Sequence, residues 1–551
     1  MNDYNLIKEN CKYMENDNIA NLKNDEDIIN YIKEKTAHSK DMVYKKLEIS
    51  GKIINIVFSQ SVCNGDTISD FVVRSIKNSL ELKEIEDIDD KVINIKELQK
   101  LKKVDRYNEN NYNIKKSLLD RISEKLNSNN NLNEEEENKL KNIQNHISAG
   151  TVKKLDLLKE DIFYYIFSGF TCIIYNTEII AVETKANLDR SINEPQNETT
   201  LKGAKDCFIE NYIVNIGLIR KRIKTEKLVL EEKKLGRRSK TKIGIMYISD
   251  IVKPGLVEYI NNKLSNIDID AILDSNYIVE LIEDSNKSDF PTTISTERPD
   301  NVAKNLLQGR IAIIVENTPF VLVVPAFLSD FVHSVEDVYQ KYVNVGITRF
   351  IRYIALIITI FTPGLYVALI TFNQESIPTD LLLAFSTQRQ GVPFPAYLEA
   401  FLMIISFELL REGDYRIPNA SGSTLSIVGA LILGDAAVNA GIVSPIMIIV
   451  VAITTISGLM FSDINMSNAL RTWRIIILIF GSVAGVLGVA IGAVFLIIKL
   501  CSTSSYTKPY LYPIAPFEFK IFINDILNRQ NIAEDTDRKS MLTDNLTKYQ
   551  K

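Results

Sequence analysis

The sequence predicts a soluble α/β N-terminal domain of two subdomains, followed by an α-helical polytopic membrane domain. Residues 1–350 are polar and rich in Asn, Lys, Glu and Ile, whereas residues 353–498 are dominated by uncharged apolar segments. In the polar part, short β-branched runs alternate with helical patterns, which is typical of α/β folds. The formal net charge of −5 therefore averages over two unlike parts of the 551-residue chain.

We divide the chain into five segments on these grounds. They are a lead-in (1–50), a first α/β subdomain (51–190), a second α/β subdomain (191–350), a transmembrane domain (351–500) and a cytoplasmic tail (501–551). The first subdomain contains a low-complexity insertion over residues 83–148, which is rich in Asn and Glu and too poor in apolar residues to fold alone. A solvated loop is the favoured interpretation of this insertion, and a docking segment is the alternative.

Local patterns predict the elements of the α/β part. An apolar, β-branched run over residues 53–58 predicts a buried strand, and a helix follows over about 69–82. Further strands are predicted at 164–174, 178–184 and 240–247, and a further helix at 206–222. The first two of these strands form a hairpin that turns at Asn176 and Thr177.

A loop rich in Pro and Thr precedes a helix that we expect from about residue 301. The residues of interest in it are Pro291, Thr292, Glu297, Arg298, Pro299 and Asp300. Proline restricts the backbone, and a hydroxyl can accept a hydrogen bond from the first turn of a helix. We therefore interpret this segment as a rigid capping loop, with a ligand-binding loop as the alternative.

The apolar segments predict about four membrane spans. Residues 353–372 carry no charge, and about twenty residues are enough to cross about 30 Å of hydrocarbon. Pro363 lies within this segment and predicts a kink. Further spans are predicted at 396–410, 442–461 and 475–498.

Charges beside the first span predict its orientation. Arg349 and Arg352 precede the span, whereas Glu375 and Asp380 follow it. The positive-inside rule therefore places the N-terminal domain in the cytoplasm.

Residues 425–441 form a broken element, because Gly434 and Asp435 interrupt a short apolar run. The element is either a re-entrant or discontinuous helix, which leaves the tail in the cytoplasm, or a full span, which places the tail outside.

Polar residues within the apolar segments are the main functional candidates, because charge at membrane depth is costly. Glu399, Asp435 and Asn439 are candidates for an ion path. The alternative for Asp435 is a helix N-cap that starts the next half-helix. Glu408 and Arg411 lie three residues apart on one helix face and predict a structural ion pair.

Four glycines in the last predicted span predict close helix packing. Gly481, Gly485, Gly488 and Gly492 follow spacings of four, three and four residues, which place them on one face of a continuous helix. Such a face allows another helix to approach closely.

Other classes of site have little support in the sequence. The three histidines are scattered, and the five cysteines form no CxxC pair and fit a reduced compartment. No P-loop and no locally supported Ser/His or Cys/His arrangement is present. We therefore expect no enzyme activity, no metal, no cofactor and no nucleic-acid partner.

Taken in order along the chain, these motifs resemble one family, the A subunits of bacterial spore germinant receptors (the GerA family). The resemblance covers about residues 53–82 and 161–517. The motifs that carry it are Glu194-Pro195 with Glu198, residues 215–222, residues 240–242, Pro291 and Thr292, residues 296–300, Gly391, Pro393 and Pro395 in the run GVPFP, residues 410–412, residues 427–434 and residues 509–513.

One loop departs from the family pattern. The family commonly has a turn of the form Gly-Pro-Arg/Lys-Asp-Gly-Phe, whereas residues 203–208 of this chain read GAKDCF. The loss of a proline and a glycine predicts a less rigid turn.

The resemblance implies a multi-pass protein of the spore inner membrane whose N-terminal domain lies on the spore-core side. Such a subunit is expected to work with a transporter-like B subunit and a lipoprotein C subunit. It is also expected to form a homo-oligomer in the lipid bilayer and to form, or help to form, the path of ion release after nutrient detection. The alternative is a membrane transporter with its own substrate or ion site at the broken helix. A membrane-anchored enzyme has the least support.

Overall fold

The computed structural model describes residues 24–49, 52–77, 151–155, 161–187, 198, 202–284, 288–414, 434–523, 538 and 541–544. The chain divides into two compact units, of which the first comprises Met1–Ile192 and Ile213–Glu231, and the second comprises Asn193–Tyr212 and Glu232–Lys551. The insertion expected over 83–148 lies outside the described residues.

The first unit is built on a five-stranded sheet with the strand order β1-β2-β4-β5-β3. Its elements are α1 (Asp25–Lys35), β1 (Met42–Ile49), β2 (Lys52–Ser59), a short helix Gly65–Thr67 that continues as a π-helix over Ile68–Val73, β3 (Val152–Leu155), α2 (Ile162–Phe167), β4 (Phe170–Tyr175), β5 (Glu178–Glu183) and α3 (Tyr212–Arg222). The four ladders between these strands are antiparallel. The four central residues of β4 and of β5 are buried, so both faces of the sheet are covered.

Two predictions for this unit need correction. Strand β1 lies within the expected lead-in, yet it pairs with β2 along its whole length. Residues 164–167 belong to helix α2 instead of a strand, because Asp161 accepts a hydrogen bond from the Phe163 amide at 2.9 Å and begins a helix there. A short apolar run fits either element, so its periodicity could not decide between them. The predicted hairpin turn is present, with positive φ at Asn176 and Thr177.

A buried ion pair fastens α3 to the start of β1. Arg220 donates to Asp41 from Nε and Nη2, at 2.9 Å each. The Oγ atoms of Ser39 and Ser59 also donate to Asp41, at 2.7 and 3.0 Å. The Arg220 guanidinium lies 4.4 Å from the ring centre of Phe167. These hydrogen bonds offset the desolvation cost of the Arg220–Asp41 ion pair, which is almost fully buried.

The second unit contains another five-stranded sheet, with the order β6-β7-β9-β10-β8. Its elements are β6 (Leu228–Leu235, which belongs to this unit from Glu232 onward), β7 (Thr241–Ile248), α4 (Pro254–Ser265), α5 (Ser275–Ile282), β8 (Ile294–Thr296), α6 (Pro299–Leu306), β9 (Ile311–Val315), β10 (Val321–Val324) and α7 (Leu328–Val332). Every residue of β9 and β10 is buried, so these two strands form the centre of the core.

The same unit continues into a group of helices, several of which are apolar. They are α8 (Tyr342–Thr371), α9 (Thr379–Arg389), α10 (Ala396–Asp414), α11 (Pro445–Gly458) and α12 (Ile464–Ser502), and residues 434–439 are also helical. Among the described residues, α8 and α12 are long and apolar enough to cross a membrane by length and composition, and α11 is a shorter apolar helix. Helix α8 continues through Pro363, and the next residue, Gly364, allows close contact with Ile477 of α12.

Helix α12 is interrupted at Gly485, where φ is 64° and ψ is −145°. A Cβ built on Gly492 would lie 2.6 Å from Cδ1 of Ile477, and the rings of Phe480 and Phe495 lie 5.9 Å apart. Residues fifteen positions apart in a straight helix are separated by about 22 Å along the axis. The first arm of α12, before Gly485, and the second arm, after Gly485, therefore fold back on each other. The prediction of one continuous span over 475–498 is wrong. A glycine can adopt the positive φ at this reversal without a Cβ penalty.

The residues after α12 pack into the α/β part of the second unit. Ser505 Oγ donates to the Thr292 carbonyl at 2.8 Å, and the hydroxyls of Thr293 and Tyr506 lie 2.8 Å apart. The side chains of Tyr506, Tyr510 and Tyr512 are buried. The segment expected to begin a cytoplasmic tail is thus, at its start, part of the core.

Candidate functional site in the helical part of the second unit

Glu399 is fully buried near the start of α10. Its Oε1 accepts a hydrogen bond from the Ser444 amide at 2.6 Å and another from the Ser444 hydroxyl. Ser444 is the N-cap of α11, so a carboxylate from one helix occupies the positive end of the next. The sequence predicted the importance of Glu399 but not this partner, because the contact joins residues far apart in the chain.

The other oxygen of Glu399 is incompletely satisfied. Its Oε2 lies 3.8 Å from Nε of Arg389 at the end of α9, and neither atom has a hydrogen-bond partner. The Tyr366 hydroxyl is also buried, beside Ser444. A buried carboxylate oxygen without a hydrogen bond can accept a proton, a cation or a water molecule.

The loop with Gly391, Pro393 and Pro395 brings Arg389 and Glu399 together. Gly391 has a φ of 103°, which favours glycine, and it turns the chain between α9 and α10. The Pro395 carbonyl accepts the Glu399 amide at 3.1 Å and thereby starts α10. The loop thus sets the direction of the helix that carries Glu399.

Asp435 and Asn439 form a local pair away from the buried position of Glu399. Asn439 Nδ2 donates to Asp435 Oδ2 at 3.1 Å, and both side chains are exposed. Residue 434 is already helical, so Asp435 lies inside a helix, and the alternative that it is an N-cap is wrong. The structure therefore does not join the three candidate ion-path residues in a single cluster.

Glu408 binds Arg411, as its spacing predicts, and also two arginines of α12. Arg474 Nη2 and Arg411 Nη2 donate to its two oxygens, and Arg471 Nε lies 3.4 Å from Oε2. We call these four residues the Glu408 cluster. Spacing along the chain did not identify Arg471 and Arg474 as partners, although two arginines three residues apart in an apolar helix indicate that a partner is required.

The four glycines pack closely, but they do not lie on one helix face. A Cβ on Gly481 would lie 2.6 Å from the Gly364 carbonyl oxygen, and one on Gly485 would lie 2.7 Å from Asn373 Oδ1. Gly488 and Gly492 face the first arm of α12 from the second arm. The prediction of a single packing face is wrong because the helix reverses at Gly485.

The Pro- and Thr-rich loop is organised by Arg298, which is fully buried. Its Nε and Nη2 donate to the two carboxylate oxygens of Asp300 at 3.1 and 2.8 Å, and Nη2 also donates to the Ala204 carbonyl at 3.1 Å. Tyr339 donates to the same aspartate. The turn at 203–208 is thereby held in place by Arg298 despite the missing proline.

Hydrogen bonds in the same loop prepare the start of α6. The Thr296 hydroxyl accepts the Arg298 amide at 3.2 Å, one residue before the helix begins at Pro299. Glu297 is mostly buried, and its carbonyl accepts the Phe208 amide at 2.7 Å.

A cavity of about 720 Å³ lies beside this loop. Pro291, Thr293 and Arg298 contribute to its wall, and its acidic lining residues are Glu198, Asp274, Glu280, Glu283, Asp289, Asp330 and Asp463. Burial raises the pKa of Glu198 to about 7, against the lowering effects of Thr296 and Arg298. Such a lining attracts cations and repels anions. Among the described residues, no group of three or more metal-binding side chains is present.

Comparison with known proteins gives consistent results over most of the chain. The profile of the Bacillus/Clostridium GerA spore germination protein family matches residues 110–541. Spore germination protein KA of Bacillus subtilis is 44% identical over 340 residues, which is 62% of this chain and 62% of that protein. Spore germination protein B1 of Bacillus subtilis is 37% identical over 371 residues, which is 67% of this chain and 75% of that protein.

Two further comparisons are with a relative whose name describes it as a membrane protein and with a crystal structure. The protein named "Uncharacterized membrane protein YfkQ" of Bacillus subtilis is 40% identical over 339 residues, which is 62% of this chain and 66% of that protein. The match thus spans slightly less than two thirds of the length of this relative and of spore germination protein KA. The crystal structure of the N-terminal domain of the A subunit of the Bacillus megaterium spore germinant receptor GerK3 is 30% identical, with a TM-score of 0.34, over 55% of this chain and 95% of that domain.

Proposed function

The chain belongs to the Bacillus/Clostridium GerA spore germination protein family, and we propose that it is the A subunit of a nutrient germinant receptor in the spore inner membrane. In this role it couples the detection of a nutrient to the release of ions and so to germination. The observation that carries the proposal is the match over residues 110–541, which takes in the sheet of the second unit and helices α8 to α12.

The apolar helices support a membrane location with other subunits as neighbours. Ile347, Phe350 and Ile357 on α8 are more than half exposed, as are Val483 and Leu487 at the reversal of α12. Such a surface is normally covered by lipid or by protein. We propose that lipid, further copies of this chain and the B and C subunits of the receptor cover it.

Charges at the start of α8 support the proposed orientation. Arg349 and Arg352 both bind Asp337 just before the apolar part of the helix, at 3.1 and 3.0 Å. By the positive-inside rule, the α/β part lies on the spore-core side. Both ends of α12 lie near the Pro- and Thr-rich loop. Phe290 of this loop stacks on Trp473 in the part of α12 before Gly485, and Thr292 accepts a hydrogen bond from Ser505, just after α12. The residues after α12 are therefore assigned to the same side.

Asp435 and Glu399 support a role in ion release. An exposed carboxylate on a membrane helix needs water or a neighbouring subunit, because lipid cannot solvate it. Asp435 meets this condition if it lines the centre of an oligomer, with Asn439 beside it. Oε2 of Glu399 is buried without a hydrogen bond and has only the 3.8 Å contact with Arg389, so it can bind a cation transiently.

A transporter with its own substrate site is the second candidate. It is favoured by the interruption before α11, where Gly441 has a φ of 64° and a new helix begins at Pro445. Glu399, however, already occupies the N-terminus of α11, so this helix end is closed to an anionic substrate. We therefore prefer the receptor subunit.

The primary test compares spores that lack the gene for this chain with complemented spores. We expect potassium release after nutrient addition only in the complemented spores, with equal total potassium liberated by mechanical disruption of both. Equal nutrient-triggered release by both would contradict the proposed function. Saturable uptake of a substrate by the chain alone in vesicles would favour the transporter.

The ion-path role is tested by Asp435→Asn, which keeps the hydrogen bond to Asn439 but removes the charge. We expect a normal protein level, measured by blot, with slowed potassium release after nutrient addition. Asp380→Asn is the matched control, because Asp380 is also exposed and near a helix start. Normal release by the Asp435 variant at a normal protein level would remove Asp435 from the ion path.

A further inference from the structure

We propose that the Glu408 cluster binds the phosphate of an anionic phospholipid headgroup. The inference uses the membrane location proposed above but does not depend on nutrient detection or ion release. In the cluster, one carboxylate faces three guanidinium groups. Both oxygens of Glu408 are already engaged, so the cluster keeps an excess of positive charge.

Several guanidinium donors of the cluster are buried without a hydrogen bond. Arg474 has a side chain that is 5% exposed, and its Nε has no hydrogen-bond partner. Nη2 of Arg471 is also buried without a hydrogen-bond partner, and Nε of Arg471 has only the 3.4 Å ion-pair contact with Glu408 Oε2. A buried ionised donor without an acceptor is costly, so a further acceptor is expected at this position.

The chemistry of the donors indicates the class of ligand. A guanidinium presents its N–H groups as a planar fork, which matches two oxygens of a phosphate or carboxylate. Two such groups on one helix face, at Arg471 and Arg474, can share the oxygens of one phosphate. Basic pockets between membrane helices on the cytoplasmic side are known sites for anionic lipid headgroups.

The surface of α10 favours a lipid over free phosphate. Leu402, Ile405 and Leu409 lie three and four residues apart on one side of the helix that carries Glu408, and they are 39, 37 and 68% exposed. This apolar stripe ends beside the charged cluster. It provides a surface for acyl chains next to the donors for the headgroup, whereas free phosphate would use only the donors.

The experiment measures lipid binding to the purified full-length chain by native mass spectrometry. The lipids are phosphatidylglycerol and phosphatidylcholine, and inorganic phosphate is added separately as a competitor. We expect retention of phosphatidylglycerol but not of phosphatidylcholine, and no displacement by millimolar phosphate. Displacement by phosphate alone would overturn the lipid assignment, and equal retention of the two lipids would overturn the anionic site.

Substitutions in the cluster locate the site. Arg471→Gln and Arg471→Lys are each expected to weaken binding of phosphatidylglycerol about tenfold, because lysine keeps the charge but loses the fork. Arg474→Gln is expected to weaken binding of phosphatidylglycerol at least as much. If this substitution at a buried residue prevents folding, the Arg471 variants still test the proposal. Lys499→Gln is the matched control, because it removes one positive charge from the same helix outside the cluster. Unchanged lipid binding by both Arg471 variants would contradict the proposal. If those variants also lost receptor assembly, the acceptor would be a carboxylate of a partner subunit.

Discussion

Asp41 in the first unit and Glu408 in the helical part of the second unit are both carboxylates that bind arginine, but their surroundings differ. Asp41 accepts hydrogen bonds from one arginine and from the hydroxyls of Ser39, Ser59 and Ser61. Glu408 faces three arginines, and buried donors remain unpaired around it. The Asp41 site is closed, whereas the Glu408 cluster is open to another anion.

The difference distinguishes a structural ion pair from a candidate binding site. Although burial acts to raise the pKa of Asp41, the Arg220 guanidinium and the serine hydroxyls hold it below its usual range. Asp41 therefore stays charged and fully bonded at neutral pH. The helical part also depends on close packing at its glycines. The ion pair of the first unit involves no such packing. Each part should therefore respond to a different kind of substitution.

The largest expected effect is that of Arg220→Ala in the first unit. The loss of the Arg220 guanidinium leaves Asp41 charged and buried. Such a loss typically lowers the free energy of unfolding by about 3–5 kcal/mol. We expect a lower midpoint of unfolding for the full chain in detergent, measured by pulse proteolysis. The matched control is Arg237→Ala, because Arg237 and Asp268 form an ion pair that is largely exposed. A change below about 1 kcal/mol is expected there. Equal effects of both substitutions would show that the Asp41 network has no structural importance.

Exchange of charge between Glu408 and Arg411 should separate an isolated pair from the larger cluster. A simple pair would be restored by the double variant Glu408→Arg with Arg411→Glu. In the cluster, an arginine at 408 would face Arg471 and Arg474, so we expect the double variant to remain defective by about 1.5–3 kcal/mol. The measurement is the amount of folded protein in the membrane. Full recovery would mean that the α12 arginines are not essential partners.

The reversal of α12 is tested by Gly485→Leu. The added side chain would collide with Phe372 and Asn373, and the backbone has a φ that disfavours any Cβ. We expect a loss of about 1–3 kcal/mol from overpacking, together with lower receptor assembly. Gly413→Leu is the control, because a Cβ at Gly413 meets no atom within 4 Å. Normal assembly of the Gly485 variant would show that the two arms are not closely packed there.

The smallest expected effect, taken per pH unit, concerns Glu198, which is half-buried and has a raised pKa. In the folded chain the pKa of Glu198 is about 7, above its ordinary value of 4.5, so between these two pH values the folded chain holds a proton that the unfolded chain has lost. Its contribution is fully present below pH 4.5 and is lost as the pH rises through about 7. The stability should therefore fall with pH in this window by at most about 1.4 kcal/mol per unit. Glu198→Gln should flatten this dependence in thermal unfolding of the full chain, and an unchanged slope would assign it to other groups.

Local patterns in the sequence predicted much of the architecture. The apolar run at 53–58 became β2, the turn at Asn176 and Thr177 closed the hairpin of β4 and β5, and the uncharged run at 353–372 lies almost entirely within α8. These features depend on backbone preferences and on hydrophobic periodicity over a few residues. The spacing of Glu408 and Arg411 belongs to the same class, because residues three apart on a helix are always neighbours.

The sequence by itself determined which segments are polar, which are apolar, and which charged residues stand out in apolar surroundings. Only the tertiary structure decided that Glu399 would reach Ser444, that Glu408 would gather Arg471 and Arg474, and that α12 would reverse at Gly485. Hydrophobicity and spacing act along the chain, whereas these contacts arise when distant helices pack and a buried charge must find a partner in space.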